Sequence, residues 1–130
     1  MSTREVIRPG AGVPSSPNPL SSAIRAGGFV FVSGQVGRAV VNGQAVVGKD
    51  MAEQTRFCLD NIRGILEAGG SSMDKVVRCT VFITDMAQFG AMNDAYREYF
   101  PVEPPARSTL QVAGLARSDL IVEIEATALA

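Results

Sequence analysis

Two stretches of this 130-residue chain hold the side chains best suited to chemistry. In PPARSTLQV (104–112) a permanent cation, Arg107, opens a run that reads as a β-strand, and in LIVEIEATA (120–128) two carboxylates, Glu123 and Glu125, stand two apart. Side chains alternate between faces along a strand. A strand over 107–113 therefore puts Arg107, Thr109, Gln111 and Ala113 on one face, and a strand over 119–128 does the same for Ile121, Glu123, Glu125 and Thr127. A hairpin through GLARSD, turning near residue 116, would set Thr109 opposite Glu123 and Arg107 opposite Glu125, with Arg107 diagonal to Glu123 and within reach.

Two chemistries fit that patch. One is a cross-strand ion pair, worth ~0–1 kcal/mol where exposed. The other is an anion site, in which the planar fork of Arg107 holds a carboxylate through two parallel bonds of about 1.5–3 kcal/mol each, while Glu123 positions a water. Asn93 has a similar pair of readings: a polar member of a helix's apolar stripe either satisfies nearby backbone or faces a ligand. Ser33 and Gly34, at the end of an apolar strand, suit a turn or a place where a ligand approaches backbone N–H groups.

The rest of the composition narrows the chemistry. The chain has no histidine, which removes the common neutral-pH acid/base, the Ser-His-Asp and Cys-His nucleophiles and histidine metal sites together. Catalysis falls to carboxylates, backbone and water. Cys58 and Cys79 stand at no metal or redox spacing and read as small buried thiols, so no metal is expected. A net charge of −1 with no run of Lys or Arg offers no footprint for nucleic acid or an anionic membrane. Neither a signal peptide nor a membrane span is legible, and a cytoplasmic protein is expected. A hydrophobic fraction of 46% and a mean hydropathy of +0.16 leave apolar surface that suggests self-association.

The elements that must position these residues follow from period and punctuation. The length suits one domain over 1–130, with 1–20 largely an irregular arm carrying Pro9, Pro14, Pro17 and Pro19, after a short strand at 5–7. GGFVFVSGQVG predicts a buried strand over Phe29–Ser33, and Asn42-Gly43 a hairpin over 38–47. Asp50, with Glu53 three residues on, opens a helix whose apolar residues repeat to Gly69-Gly70. KVVRCTVFI (75–83) predicts a largely buried strand. Asp85 and Gln88 then open a second helix with Phe89, Met92, Asn93, Tyr96, Tyr99 and Phe100 on its stripe, stopped by Pro101. The order predicts an α+β, two-layer sandwich: a mixed sheet with two helices on one face and the other face bare.

PPARSTLQVAGLARSDLIVEIEATA resembles the C-terminal signature of the RidA (YjgF) family of reactive imine/enamine deaminases, through Pro105, Ala106, Arg107, Ser108 and Leu110, then Val122, Glu123 and Ile124. The likeness extends to FVFVSGQVG, to NIRGILEAGGSSMDKVVRCTVFITDM and to MNDAYREYF. It implies a chorismate-mutase-like fold and a homotrimer whose sheets pack into a central barrel, with each active site between two subunits. By the same resemblance Arg107 clamps a substrate carboxylate, Glu123 activates water, Asn93, Ser33 and Gly34 line the pocket, and the Thr109 N–H helps hold the carboxylate. Leu20 stands where many members carry a tyrosine, and Thr109 where a cysteine is common. The reaction implied is hydrolysis of short 2-imino acids to 2-keto acids and ammonia, without metal or organic cofactor. Two alternatives remain: a non-catalytic carboxylate-binding or regulatory trimer, and a pathway-specific deaminase of a larger, aminomuconate-like enamine.

Overall fold

The computed structural model describes residues 3–130. Short β1 (Glu5–Ile7) precedes the irregular arm, and β2 (Ala23–Ala26) and β3 (Phe29–Val36) form a hairpin through Gly27 and Gly28. β4 (Arg38–Val41) and β5 (Gln44–Val47) form a separate two-stranded ribbon. Its turn residues Asn42 (φ 51°) and Gly43 (φ 79°) adopt the left-handed backbone that an Asn-Gly hairpin needs. β2 is an addition to the expected elements, because AIRA is too short for its alternation to register.

Helix α1 (Met51–Ala68) begins as the sequence predicts: the Asp50 side chain accepts from Glu53 N–H at 2.9 Å. The Glu53 carboxylate reaches back one residue further than a capping box requires, to Lys49 N–H. Gly70, at φ 78°, supplies the left-handed stop. The apolar stripe of α1, with Leu59, Ile62, Ile65 and Leu66 fully buried, packs on β3 and the final strand. Each such side chain contributes roughly 1.5–3 kcal/mol on burial. Gln54, only 2% exposed, is one of three buried polar residues of the helix, with Thr55 and Asn61. Its amide donates to the carbonyls of Gly48 and Asp119 and its oxygen accepts from Ile121 N–H, so one side chain ties α1 to two loops.

β6 (Val76–Ile83) is followed by a 3-10 turn capped by Asp85, then by α2 (Phe89–Tyr99), β7 (Ala106–Gln111) and β8 (Val122–Leu129). The main sheet runs β1-β2-β3-β8-β6-β7, mixed, with both helices on one face. Here the expected β7–β8 hairpin is overturned. β7 pairs parallel with β6, and β8 inserts on the other side of β6, antiparallel to it and to β3. The physical reason is the crossover: β6, α2 and β7 form a strand-helix-strand unit, which brings its two strands together in parallel.

The pairing fixes which side chains share a face. Cys79, Val81 and Ile83 of β6 and Val122, Ile124, Ala126 and Ala128 of β8 are buried under the helices. β6 and β3 are therefore buried on one face rather than wholly. On the opposite face Phe29, Phe31, Leu110 and Leu129 are exposed, which is the bare apolar face that two helices cannot cover.

Candidate active site

Register separates the two residues that the sequence placed side by side. Arg107 pairs with Cys79, across from Ala126, so it lies on the helix-covered face. Glu123 pairs with Phe82 and Val36 and lies on the bare face. Among the described residues no carboxylate is within 4.0 Å of Arg107. The cross-strand ion pair with Glu123 or Glu125 is thus excluded, and so is the expected register of Thr109 with Glu123 and Arg107 with Glu125.

Arg107, half-buried, is seated by α2. Its guanidinium carbon stands 4.7 Å from the Tyr96 ring centre and 5.6 Å from that of Phe89, and its Nη1 lies 3.8 Å from Met92 Sδ. Three residues of one helical stripe therefore hold the fork by aromatic faces and a soft sulfur, which orient a cation without neutralising it. Asn93 is half-buried on the same turns of α2. β7 is the sheet's edge, and Val112 N–H donates back to Ile83. Alternation then points Thr109 N–H away from β6, toward the open edge. The Thr109 hydroxyl and the Tyr96 hydroxyl are both buried without a hydrogen-bond partner. Burial pushes the Cys79 thiol up, only partly offset by Tyr96 and Arg107, and pushes the Cys58 thiol up further, so both cysteines are inert protonated core residues.

Glu123 has different surroundings. β3 carries one extra residue against β8 between Val32 and Gln35, so the strand runs through Ser33 and Gly34 as a bulge instead of ending there. The bulge sets Gly34 under the Glu123 carboxylate: a Cβ on Gly34 would lie 2.1 Å from Glu123 Oε2. Burial, and then the neighbouring Glu125, holds the Glu123 carboxyl above its ordinary 4.5. Ser33, next to Gly34 in the bulge, is bonded to the arm. Its hydroxyl donates to Ser21 carbonyl at 2.5 Å and its N–H to Ser22 carbonyl at 2.9 Å, so it fastens the arm. Between arm and sheet lies a cleft of about 670 Å³ lined by Leu20, Gly34 and Glu123, and also by Arg8, Arg38 and Arg117. The three arginines were not legible as site residues, because they come from distant segments and carry no local signal.

The structure therefore groups Leu20, Gly34 and Glu123 on one side of the molecule, with Ser33 next to Gly34 in the bulge. Arg107 and Thr109 occupy the other side, beside α2 and its Asn93. A family model described as Endoribonuclease L-PSP matches residues 12–130. The chain belongs to this family, the YjgF/RidA proteins. Among its relatives, a RutC family protein of Pyrococcus horikoshii is 44% identical over 115 residues, covering 88% of this chain and 90% of that one. The mouse 2-iminobutanoate/2-iminopropanoate deaminase is 40% identical over 115 residues, covering 88% and 84%. In three dimensions the chain is similar to Escherichia coli TdcF with bound serine, with a TM-score of 0.88 at 32% identity over 97% of this chain and 98% of that one. Yeast Mmf1 aligns with a TM-score of 0.89 at 29% identity over 98% of both chains. The family thus unites proteins named for imine deamination with others named for different roles. Among the described residues no group of His, Cys, Asp or Glu is placed to hold a metal ion, and no helix is long and apolar enough to cross a membrane.

Proposed function

We propose that the chain hydrolyses short, reactive 2-imino acids and their enamine tautomers to 2-keto acids and ammonia, at sites completed by a second copy of the chain. The observation that carries this is the separation of Arg107 from Glu123: a clamp on one face and a carboxylate on the other can meet on one small substrate only across a subunit boundary. Exposure of 38–47% at Phe29, Phe31, Leu110 and Leu129 supports an assembly that covers the bare sheet face, and a homotrimer is the arrangement proposed.

In this reading the Arg107 fork and Thr109 N–H hold the substrate carboxylate, and Asn93 borders it. The protonated imine carbon is already electrophilic, so the protein mainly supplies position. Glu123 accepts a proton as water adds to that carbon, and returns it to the nitrogen of the resulting carbinolamine. The carbon–nitrogen bond then breaks as the carbinolamine hydroxyl gives its proton back to Glu123, which yields the keto acid and ammonia and leaves one proton for solvent, the raised Glu123 pKa suiting these transfers. The mouse relative named as a 2-iminobutanoate/2-iminopropanoate deaminase and the serine bound to TdcF favour this substrate class.

The test uses differently tagged Arg107→Ala and Glu123→Gln chains, each inactive alone, expressed together and purified through both tags. In a cyclic trimer with one chain of one kind and two of the other, about one site in three regains both groups. Keto-acid release from an imine generated by an amino-acid oxidase is expected to recover accordingly. Mixed assemblies as inactive as their parents would overturn the shared site, and a wild-type chain that binds 2-keto acids without speeding hydrolysis would make the protein a carboxylate sensor.

A further inference from the structure

We infer that the arm-side cleft reads a second anionic group on the substrate, so that this chain prefers dicarboxylic to monocarboxylic 2-imino acids. The inference rests on the deaminase reading above and concerns the part of the cleft away from Glu123.

Size is the first observation. About 670 Å³ corresponds to roughly twenty water volumes, and the smallest 2-imino acids would fill a minor part of it. Charge is the second. Arg25, Arg56, Arg63 and Arg97 each have a carboxylate partner elsewhere on the surface. Arg8 and Arg38 line the cleft, and among the described residues neither has a carboxylate within 4.0 Å. Arg117, also lining it, is held to Asp119 by bonds of 3.1 and 2.6 Å and leaves the two unpaired cations dominant.

Arg38 is also oriented. Its Nη2 donates to Ser15 carbonyl in the arm at 2.9 Å, and its own carbonyl accepts from Asn61 at 2.7 Å, an amide only 4% exposed. The remaining donors of the guanidinium are free to bind. Two cations on the lining of one cleft, exposed Arg8 and half-buried Arg38, outnumber the single carboxylate there, Glu123, and favour an oxyanion. Leu20, 55% exposed at the same cleft, supplies an apolar contact for the methylene groups that separate two carboxylates.

The experiment compares imines made in situ from aspartate or glutamate by a dicarboxylate-specific oxidase with those made from alanine or 2-aminobutanoate by a general one. Wild-type kcat/KM is expected to favour the dicarboxylic imines, and an Arg8→Ala/Arg38→Gln double variant to lose tenfold to about a hundredfold more on them than on the monocarboxylic set. Acceleration confined to monocarboxylic imines, or equal losses on both sets, would overturn the inference and leave the deaminase reading standing. If no imine is accelerated, that reading fails, and thermal shifts decide the inference. A rise with succinate that exceeds the rise with butanoate and vanishes in the double variant supports it. Equal rises with both, or an equal rise with inorganic phosphate, would overturn the assignment to a dicarboxylate.

Discussion

The surroundings of Arg107 and Glu123 are built on opposite principles. Arg107 is held by what is present: Phe89, Met92 and Tyr96, one stripe of one helix, press on its guanidinium and leave the fork uncompensated. Glu123 is held by what is missing, the side chain of Gly34, and by an arm fastened through Ser33. The first kind of seat is rigid and local. The second is assembled from a bulge and an irregular segment distant from it in sequence. The contrast teaches that, in the site proposed above, the two halves are positioned by independent parts of the fold.

The largest expected effect breaks the Arg107 side. Removing two charge-assisted bonds by Arg107→Ala is expected to cost about 3–6 kcal/mol, or roughly 10²–10⁴ in kcat/KM, with Arg107→Lys recovering only part because an ammonium lacks the fork. A loss below tenfold for Arg107→Ala in the in situ imine assay would remove Arg107 from the clamp. Next comes Gly34→Ala, which displaces the Glu123 carboxylate without touching Arg107. About a tenfold fall in kcat is expected with substrate affinity retained, in line with modest acid/base help. An unchanged kcat would mean that the carboxylate's place beside Gly34 is irrelevant.

The smallest effect concerns pH. Glu123 must be ionised to take a proton from water, so the acceleration is expected to fall as pH drops through its raised pKa, above the ordinary 4.5. Glu125→Gln removes the like charge that contributes to the shift and should move this acid limb to lower pH. For stability the sign reverses. The folded chain binds this proton more tightly than the unfolded chain, so Glu123 favours the folded state below 4.5 and that contribution is lost as pH rises through the raised value. Denaturant titrations of wild type and Glu123→Gln at several pH values would check it, and parallel curves would refute the linkage.

Local pattern made much of this molecule legible. The Asp50 cap, the Gly70 stop, the Asn42-Gly43 turn and the α2 stripe depend on neighbours within a few residues, and each appears where the sequence predicts it. The β7–β8 pairing that the sequence predicts is absent because alternation says which side chains share a face of a strand, never which strand lies beside it. The strand-helix-strand order from 76 to 111 held the missing signal, since such a unit favours parallel neighbours.

Sequence by itself therefore determined the chemical inventory and the local elements: no histidine, one arginine and one glutamate in a recognisable signature, and caps and turns at their proper spacings. Tertiary structure decided that Arg107 and Glu123 belong to opposite faces, that Ser33 is bonded to the arm, and that Arg8 and Arg38 share a cleft with Glu123. The physical reason is range. Caps and turns are fixed by bonds among adjacent residues, whereas faces and clefts depend on contacts between segments a hundred or more residues apart.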